Sequence, residues 1–211
     1  TGSKFSAVAQ GGSGNAGDIE ISAPTLTVAD DGLINSGTLG SGQGGDILVN
    51  ADRVAVREAY VSSGSEGTAA GSGACGDIAI TARESLEIAG SGKDEPGGAY
   101  AKYYGVYSQT RGPGHGGHIS ITTDEMTVAH DGWINGQTYG AGTGGNVTVE
   151  TRRLDISKGG TITTSTRCTG HAGDIDITAH ESVRIAGIGV KQPKTWVYSA
   201  THSSGDGGKV S

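Results

Sequence analysis

The sequence predicts an all-β chain, a right-handed parallel β-helix of about seven coils with three short strands per coil. Two observations carry this. A five-residue phrase returns along the whole length: Gly17-Asp18-Ile19-Glu20-Ile21, then Gly45-Asp46-Ile47-Leu48-Val49, Gly76-Asp77-Ile78-Ala79-Ile80, Gly117-His118-Ile119-Ser120-Ile121, Gly145-Asn146-Val147-Thr148-Val149 and Gly173-Asp174-Ile175-Asp176-Ile177, with a truncated Gly208-Lys209-Val210 at the end. The composition, 40 glycines and one phenylalanine in 211 residues, leaves only small aliphatic side chains to build a core. Repetition at 20 to 50 residues is the mark of solenoids, whose units bury their apolar faces only by stacking.

Within each coil the grammar is constant. Glycine and a polar residue precede an alternating apolar pair, Ile19 and Ile21 in the first coil, followed by a second pair, Leu26 and Val28, and a third short stretch around Ile34. In the fifth coil the same places hold Val147 and Val149, Leu154 and Ile156, then Ile162. Alternation places successive side chains on opposite faces of a strand. Two-residue hairpin signals are missing between these stretches, so equivalent strands of successive coils pair in parallel instead. The handedness preference of parallel crossovers makes the coil right-handed, and seven anchors about 4.8 Å apart give a rod on the order of 30 Å long. Glycines fall at corners, where the backbone takes positive φ or approaches the next coil closely. Asn35, Ser62, Ser63 and Asn135 recur near the third strand as candidates for polar ladders.

The spacing between anchors is 28 residues from 18 to 46, 31 to 77, 41 to 118, 28 to 146, 28 to 174 and 35 to 209, so 28 sets the basic coil and longer intervals carry loops. A higher period lies above this one. Thr27 to Asn35 returns 100 residues later as Thr127 to Asn135, and Ile78 to Gly90 reads nearly as Ile175 to Gly187. The chain is therefore two copies of a three-coil unit within one repeat domain, 1–211, and it reads as a segment of something longer. Residues 1–15 form the last strand and turn of a preceding coil, with Phe5 and Val8 facing inward or capping.

Composition also limits function. Low hydropathy with much Gly, Ser and Thr is compatible with disorder, but the regular columns of Ile, Val and Leu argue for a packed core. A net charge of −7 without a basic stripe excludes a nucleic-acid binder, and the Arg152-Arg153 pair reads as a solvated face. No run reaches the roughly 20 apolar residues that span a bilayer, which excludes membrane insertion by a helix, and no targeting segment is present.

The coil grammar, Gly-Asp-Ile-x-Ile followed by Leu-x-Val, Asp-Gly-x-Ile and a Gly/Ser/Thr-rich turn, resembles the passenger repeats of filamentous-haemagglutinin-like exoproteins of two-partner secretion. The resemblance spans nearly the whole chain. It implies a secreted or surface-attached β-helical stalk of a Gram-negative-type bacterium, an adhesin or the shaft of a toxin-delivery protein; fold-level analogy does not by itself fix function. Its partners would be further repeats of the same chain, other copies end to end, or a host or environmental glycan or protein.

Several residue sets invite chemistry. The column Asp18, Asp46, Asp77 and Asp174 places carboxylates roughly 5 Å apart, where like charges repel by about 1 kcal/mol even in water; each is read as stabilising the turn into its strand. A calcium-binding nonapeptide roll is excluded by the 28-residue period and by His118, Asn146 and Lys209 in the aspartate position. Asp30-Asp31-Gly32 and His130-Asp131-Gly132 read as turns, although carboxylates on an outer face serve carbohydrate-cleaving β-helices. His115 and His118 lack the converging partners a metal site needs, and His171 and His180 face solvent. No cofactor is implied. The Asn146-Val147-Thr148 sequon falls in a predicted strand.

Cys75 and Cys168 lie about three coils apart, on the order of 14 Å, beyond the reach of an internal disulfide, so each is a free residue or an intermolecular contact. The informative departure is a pair of long loops, 89–116 and 187–207. The first holds Asp94, Glu95, Tyr100, Tyr103, Tyr104 and Tyr107, the second Trp196 and Tyr198. The shared phase of the third and sixth coils puts both on one side of the rod, either as a shelf for a glycan or partner protein or as a cover for the sheet. The chain thus reads as a non-enzymatic extracellular structural or adhesive shaft, able to stack into filaments; the alternative is a glycan-binding or polysaccharide-degrading β-helix using the Tyr/Trp loops, which Asp94 and Glu95 keep open.

Overall fold

The computed structural model describes residues 3–65, 73–92, 104–190 and 194–211. It is a stack of six turns of parallel strands with no helix among the described residues. Six long strands, β2 (Ile19–Ala29), β4 (Ile47–Arg57), β6 (Ile78–Ala89), β8 (Ile119–Ala129), β10 (Val147–Ser157) and β12 (Ile175–Ala186), form one sheet in that order. Seven short strands, β1 (Lys4–Ser6), β3 (Leu33–Thr38), β5 (Tyr60–Ser65), β7 (Gly105–Thr110), β9 (Trp133–Asn135), β11 (Thr161–Thr166) and β13 (Trp196–Thr201), form the other. The seventh anchor adds only an isolated bridge between Ile175 and Val210.

The three strands expected per coil are two, because the first two stretches run together around a corner. In β4 the buried positions are Ile47, Val49 and Ala51, then Val54 and Val56. The step of three leaves Asp52 and Arg53 both on the outside, so the backbone bends at Asp52, which drops out of the pairing, and the ladder resumes at Arg53. In β6 the step from Ala82 to Leu86 is four, one residue longer, and β12 carries the same insertion. The pairing register shifts there, at Ala51/Arg53, at Ala82/Ser85 and at Thr151/Arg153.

Between the sheets runs one apolar column set from Ile19 to Ile175, with Ile34, Val61, Val106, Ile134 and Ile162 supplied by the short strands. Its far corner is polar. Ser36, Ser63, Ser108 and Thr164 point inward and are fully buried. A buried hydroxyl must be satisfied internally, and here the anchor glycines satisfy it. Ser63 Oγ donates to the Gly45 carbonyl and accepts the Gly76 N–H, both at 2.9 Å. Ser108 Oγ donates to Gly76 at 3.2 Å and accepts from Gly117 at 2.8 Å, and Ser199 links Gly173 to Gly208 at 2.8 and 2.9 Å. In the fourth coil the position is Gly136, which has no hydroxyl; its own carbonyl moves in to accept the Gly145 N–H at 2.9 Å, and β9 stops after three residues.

The corner glycines are required by close stacking, not by positive φ. A Cβ on Gly117 would stand 2.0 Å from the Gly76 carbonyl oxygen, and one on Gly145 2.0 Å from that of Gly117. Positive φ is instead taken by Asp30, Asp31, Glu58, His130, Asp131 and Lys158. These positions recur 100 residues apart, so the three-coil repeat is a repeat of turn geometry as well as of sequence.

Gly117→Ala is therefore expected to prevent cooperative folding, whereas Gly17→Ala, whose Cβ would meet only Ala7 at 3.7 Å, leaves the thermal midpoint nearly unchanged. Ser63→Ala, which strands a buried carbonyl and an N–H, should lower unfolding free energy by about 1–3 kcal/mol. Thermal and denaturant unfolding of the three variants checks this ranking.

Candidate functional site

The two outer faces of the stack differ in kind. Outside the long strands the corner residues form ion pairs between coils: Arg53 with Glu84, Arg83 with Asp52, Arg57 with Glu87, and Arg184 with Asp155 at 2.7 Å. Arg152 and Arg153 are not merely solvated. Both reach Glu181, at 2.9 and 2.8 Å, and Arg153 reaches Glu125 at 2.6 Å, so the pair ties three coils together. Burial raises the Asp155 pKa, but the Ser157 hydrogen bond and Arg184 outweigh it and hold the carboxyl below its ordinary value. These pairs are exposed and screened by solvent, so each adds little to stability, but together they cross the whole face from coil to coil.

The outer face of the short-strand sheet carries the aromatic residues. Register places Leu33, Tyr60, Gly105, Trp133, Thr161 and Trp196 in one outward column and Asn35, Ser62, Tyr107, Asn135, Thr163 and Tyr198 in the next. The Tyr60 ring packs on Tyr104 at 5.0 Å and on Tyr107 at 6.3 Å, and Trp196 meets Tyr198 edge-on at 5.6 Å. Lys194 lies over the Trp196 ring at 4.8 Å. On the flank, Arg111 and Arg167 sit against Tyr139 at 5.7 and 5.2 Å.

Of the aromatic residues expected in loops, Tyr107, Trp196 and Tyr198 lie on β7 and β13, inside the stretches 89–116 and 187–207. Tyr104 immediately precedes β7. Tyr100 and Tyr103, like Asp94 and Glu95, lie outside the described residues. The sequence reading missed Tyr60, Trp133 and Tyr139. Tyr60 and Trp133 open the short strands β5 and β9, so aligning those stretches in columns would have found them.

The Asp-Gly turns fasten the long loops to this face. Tyr104 Oη donates to Asp31 Oδ1 at 2.9 Å. In the other half the buried Asp131 accepts the Val190 N–H at 3.1 Å. Each carboxylate thus reaches the long loop two coils on. Burial, then the nearby Asp31 charge, pushes the Tyr60 phenol up to about 12; burial, followed by the Asp31 hydrogen bond, raises Tyr104 further. Asn135 Oδ1 and Thr163 Oγ1, neighbours in the outward column, are buried and find no hydrogen-bond partner among the described residues.

The aspartate column is structural. Asp18 Oδ1 accepts the Asp46 N–H at 2.8 Å, Asp46 that of Asp77 at 2.8 Å, Asp77 that of His118 at 2.7 Å, and Asp174 that of Lys209 at 2.7 Å. Asn146 does the same for Asp174 at 2.8 Å. The position calls for an acceptor aimed at the next coil, and solvent exposure makes the like charges tolerable. A parallel column three residues earlier uses Asn15, His115 and His171 for the amides of Gln43, Thr143 and Asp206. No group of three or more metal-binding side chains gathers among the described residues, and no helix is long and apolar enough to cross a membrane. Cys75 and Cys168 are not bridged to each other; Cys75 is buried and Cys168 exposed, so of the two the second presents its thiol at the surface.

No family model, curated protein or solved structure matches the chain.

Alkaline titration tests the packing of this face. Both phenols have folded pKa values raised above the ordinary 10, so the stability they confer is full below pH 10 and is lost as pH rises through about 12. Ultraviolet titration is expected to show most tyrosines ionising near pH 10 and a late fraction accompanying unfolding. Tyr104→Phe should remove part of that fraction.

Proposed function

We propose that the chain is an extracellular structural and adhesive shaft of the filamentous-haemagglutinin-like kind, and that the aromatic face of the short-strand sheet is its contact surface for glycans or partner proteins. The observation that carries this reading is the asymmetry of the two faces. One is crossed by ion pairs between coils, while the other collects Tyr60, Tyr107, Trp133, Trp196 and Tyr198, with the buried Tyr104 packed on Tyr60. Aromatic rings stack on sugar faces through apolar area while their hydroxyl or N–H tips hydrogen-bond. A rigid column spacing repeats that offer along the rod, so weak single contacts add by multivalency. The repeat grammar and its resemblance support a secreted or cell-surface setting.

A polysaccharide-degrading β-helix is the second reading, favoured by Asp31, a carboxylate held by Tyr104 at the edge of the same face. The two separate in one experiment. The protein is incubated with immobilised neutral and acidic polysaccharides, and both retention and release of new reducing ends are measured. The shaft reading predicts retention without release, reduced at least about tenfold by Trp133→Ala with Trp196→Ala, at an unchanged unfolding midpoint. Reducing-end release that Asp31→Asn abolishes would establish the enzyme, and absence of both retention and release would overturn the aromatic face as a glycan surface.

A further inference from the structure

The outward column that opens the short strands reads Leu33, Tyr60, Gly105, Trp133, Thr161 and Trp196 from coil to coil. From Tyr60 onward a ring occupies every second coil, with a small residue in between. The inward column one residue later is aliphatic throughout, from Ile34 to Val197, and has no such alternation. Tyr60 and Trp133 are partly exposed, whereas Gly105 and Thr161 are buried, so the rings rise above the residues between them.

This alternation departs from the rest of the chain, whose halves repeat every three coils. Thr27 to Asn35 differs from Thr127 to Asn135 at two places, Asp30/His130 and Leu33/Trp133. A column that followed the duplication would match Leu33 with Trp133, Tyr60 with Thr161 and Gly105 with Trp196. Each of these pairs instead holds one ring and one residue without a ring. Core packing does not call for this, because the inward residues of the same strands do match, Ile34 with Ile134 and Val61 with Ile162. What a two-coil period sets is a distance. Coils stacked about 4.8 Å apart place successive rings about 9.6 Å apart along the axis. That is close to the repeat of an extended β-1,4-linked sugar chain, in which every second pyranose turns the same face to one side.

We propose that Tyr60, Trp133 and Trp196 are platforms for alternate sugars of one uncharged β-1,4-linked glycan lying along the rod axis. This rests on the glycan reading of the aromatic face and gives the ligand its linkage and direction. The apolar face of a pyranose stacks on a ring, and rings already held in place lose little freedom on binding. Tyr60 is held by Tyr104 at 5.0 Å and Tyr107 at 6.3 Å, and Trp196 by Tyr198 at 5.6 Å. Ser62 and Tyr107, in the neighbouring column about 7 Å to the side, carry hydroxyls beside the path of the chain. Lys194, exposed and lying over the Trp196 ring at 4.8 Å, gives way to the sugar at that platform.

Charge selects against an acidic glycan. Glu58 lies two residues before Tyr60, Asp31 accepts the hydroxyl of the Tyr104 that packs on Tyr60, and the chain as a whole carries −7. Linkage selects against an α-1,4-linked glucan, which coils and cannot lay alternate rings on a straight column.

The test is calorimetric titration of the whole chain with β-1,4-linked oligomers of glucose and of N-acetylglucosamine, from two to six units, beside α-1,4-linked glucose oligomers of the same lengths. Reaching two platforms takes three sugars, and reaching three platforms takes five. The proposal predicts, for at least one β-1,4 series, affinity rising about three- to tenfold at three units and again at five, with little change at four and six. The α-1,4 series binds at least about tenfold more weakly. Trp196→Ala removes the step at five and keeps the step at three. Trp133→Ala leaves rings four coils apart, so it removes the step at three and keeps the step at five. The comparison of linkage and length on the unaltered protein stands without either variant. Equal affinity for the α and β series overturns the proposal, as does affinity that grows evenly with each added unit or not at all. If polysaccharide is still retained through Trp133 and Trp196 in that case, the adhesive face stands without this ligand; no retention of any polysaccharide sinks both.

Discussion

The distance between stacked backbones governs this molecule. Parallel strands settle about 4.8 Å apart, and at the corner between short and long strands that spacing leaves no room for a side chain. Glycine is the residue that fits, because a Cβ there would fall about 2 Å from the carbonyl of the previous coil. Packing backbone on backbone buries peptide groups, and buried peptide groups need partners. The inward serine and threonine column provides them, with Ser63, Ser108 and Ser199 each joining one anchor glycine to the next and Ser36 and Thr164 each donating to one. Close stacking therefore accounts for the glycine content, for the polar corner of an otherwise aliphatic core, and for the constancy of the anchor phrase.

Much of this was legible in the residues because the repeat displays it many times over. The inward columns of Ile19, Ile47, Ile78, Ile119, Val147 and Ile175 can be read directly, and so can the parallel pairing. Corners were harder. Two adjacent outward residues such as Asp52 and Arg53 look like a turn in sequence, yet in the structure they bend a continuous strand, since a phase slip of one residue turns the chain at Asp52 and the ladder resumes at Arg53. The role of the anchor aspartates was half legible. Their turn position could be seen, but their partner, an amide one coil away, belongs to the stack and not to the local sequence.

The aromatic face shows the same limit more sharply. Tyr107, Trp196 and Tyr198 stood out because they cluster in sequence, and that clustering suggested loops. Tyr60 and Trp133 are 73 residues apart and each stands without another aromatic beside it in sequence; only the register, with Gly105 between them, makes them one surface. The two Asp-Gly turns were likewise read as simple turns, whereas Asp31 and Asp131 each hold a loop that lies two coils away. What a linear reading loses here is contact across coils. The two faces then differ, one crossed by ion pairs between coils and the other lined by aromatic rings.

The account stands on the hydroxyl and glycine column, and amide hydrogen exchange measured residue by residue in the native state tests it most directly. Gly76 and Gly117 donate to fully buried hydroxyls, so their amides should exchange only through global unfolding, as slowly as those of Ile80 and Ile121 in the core. Exchange at the rate of an exposed turn glycine such as Gly12 would show that the corner is wet, and would contradict the stacking on which the fold and both of its faces depend.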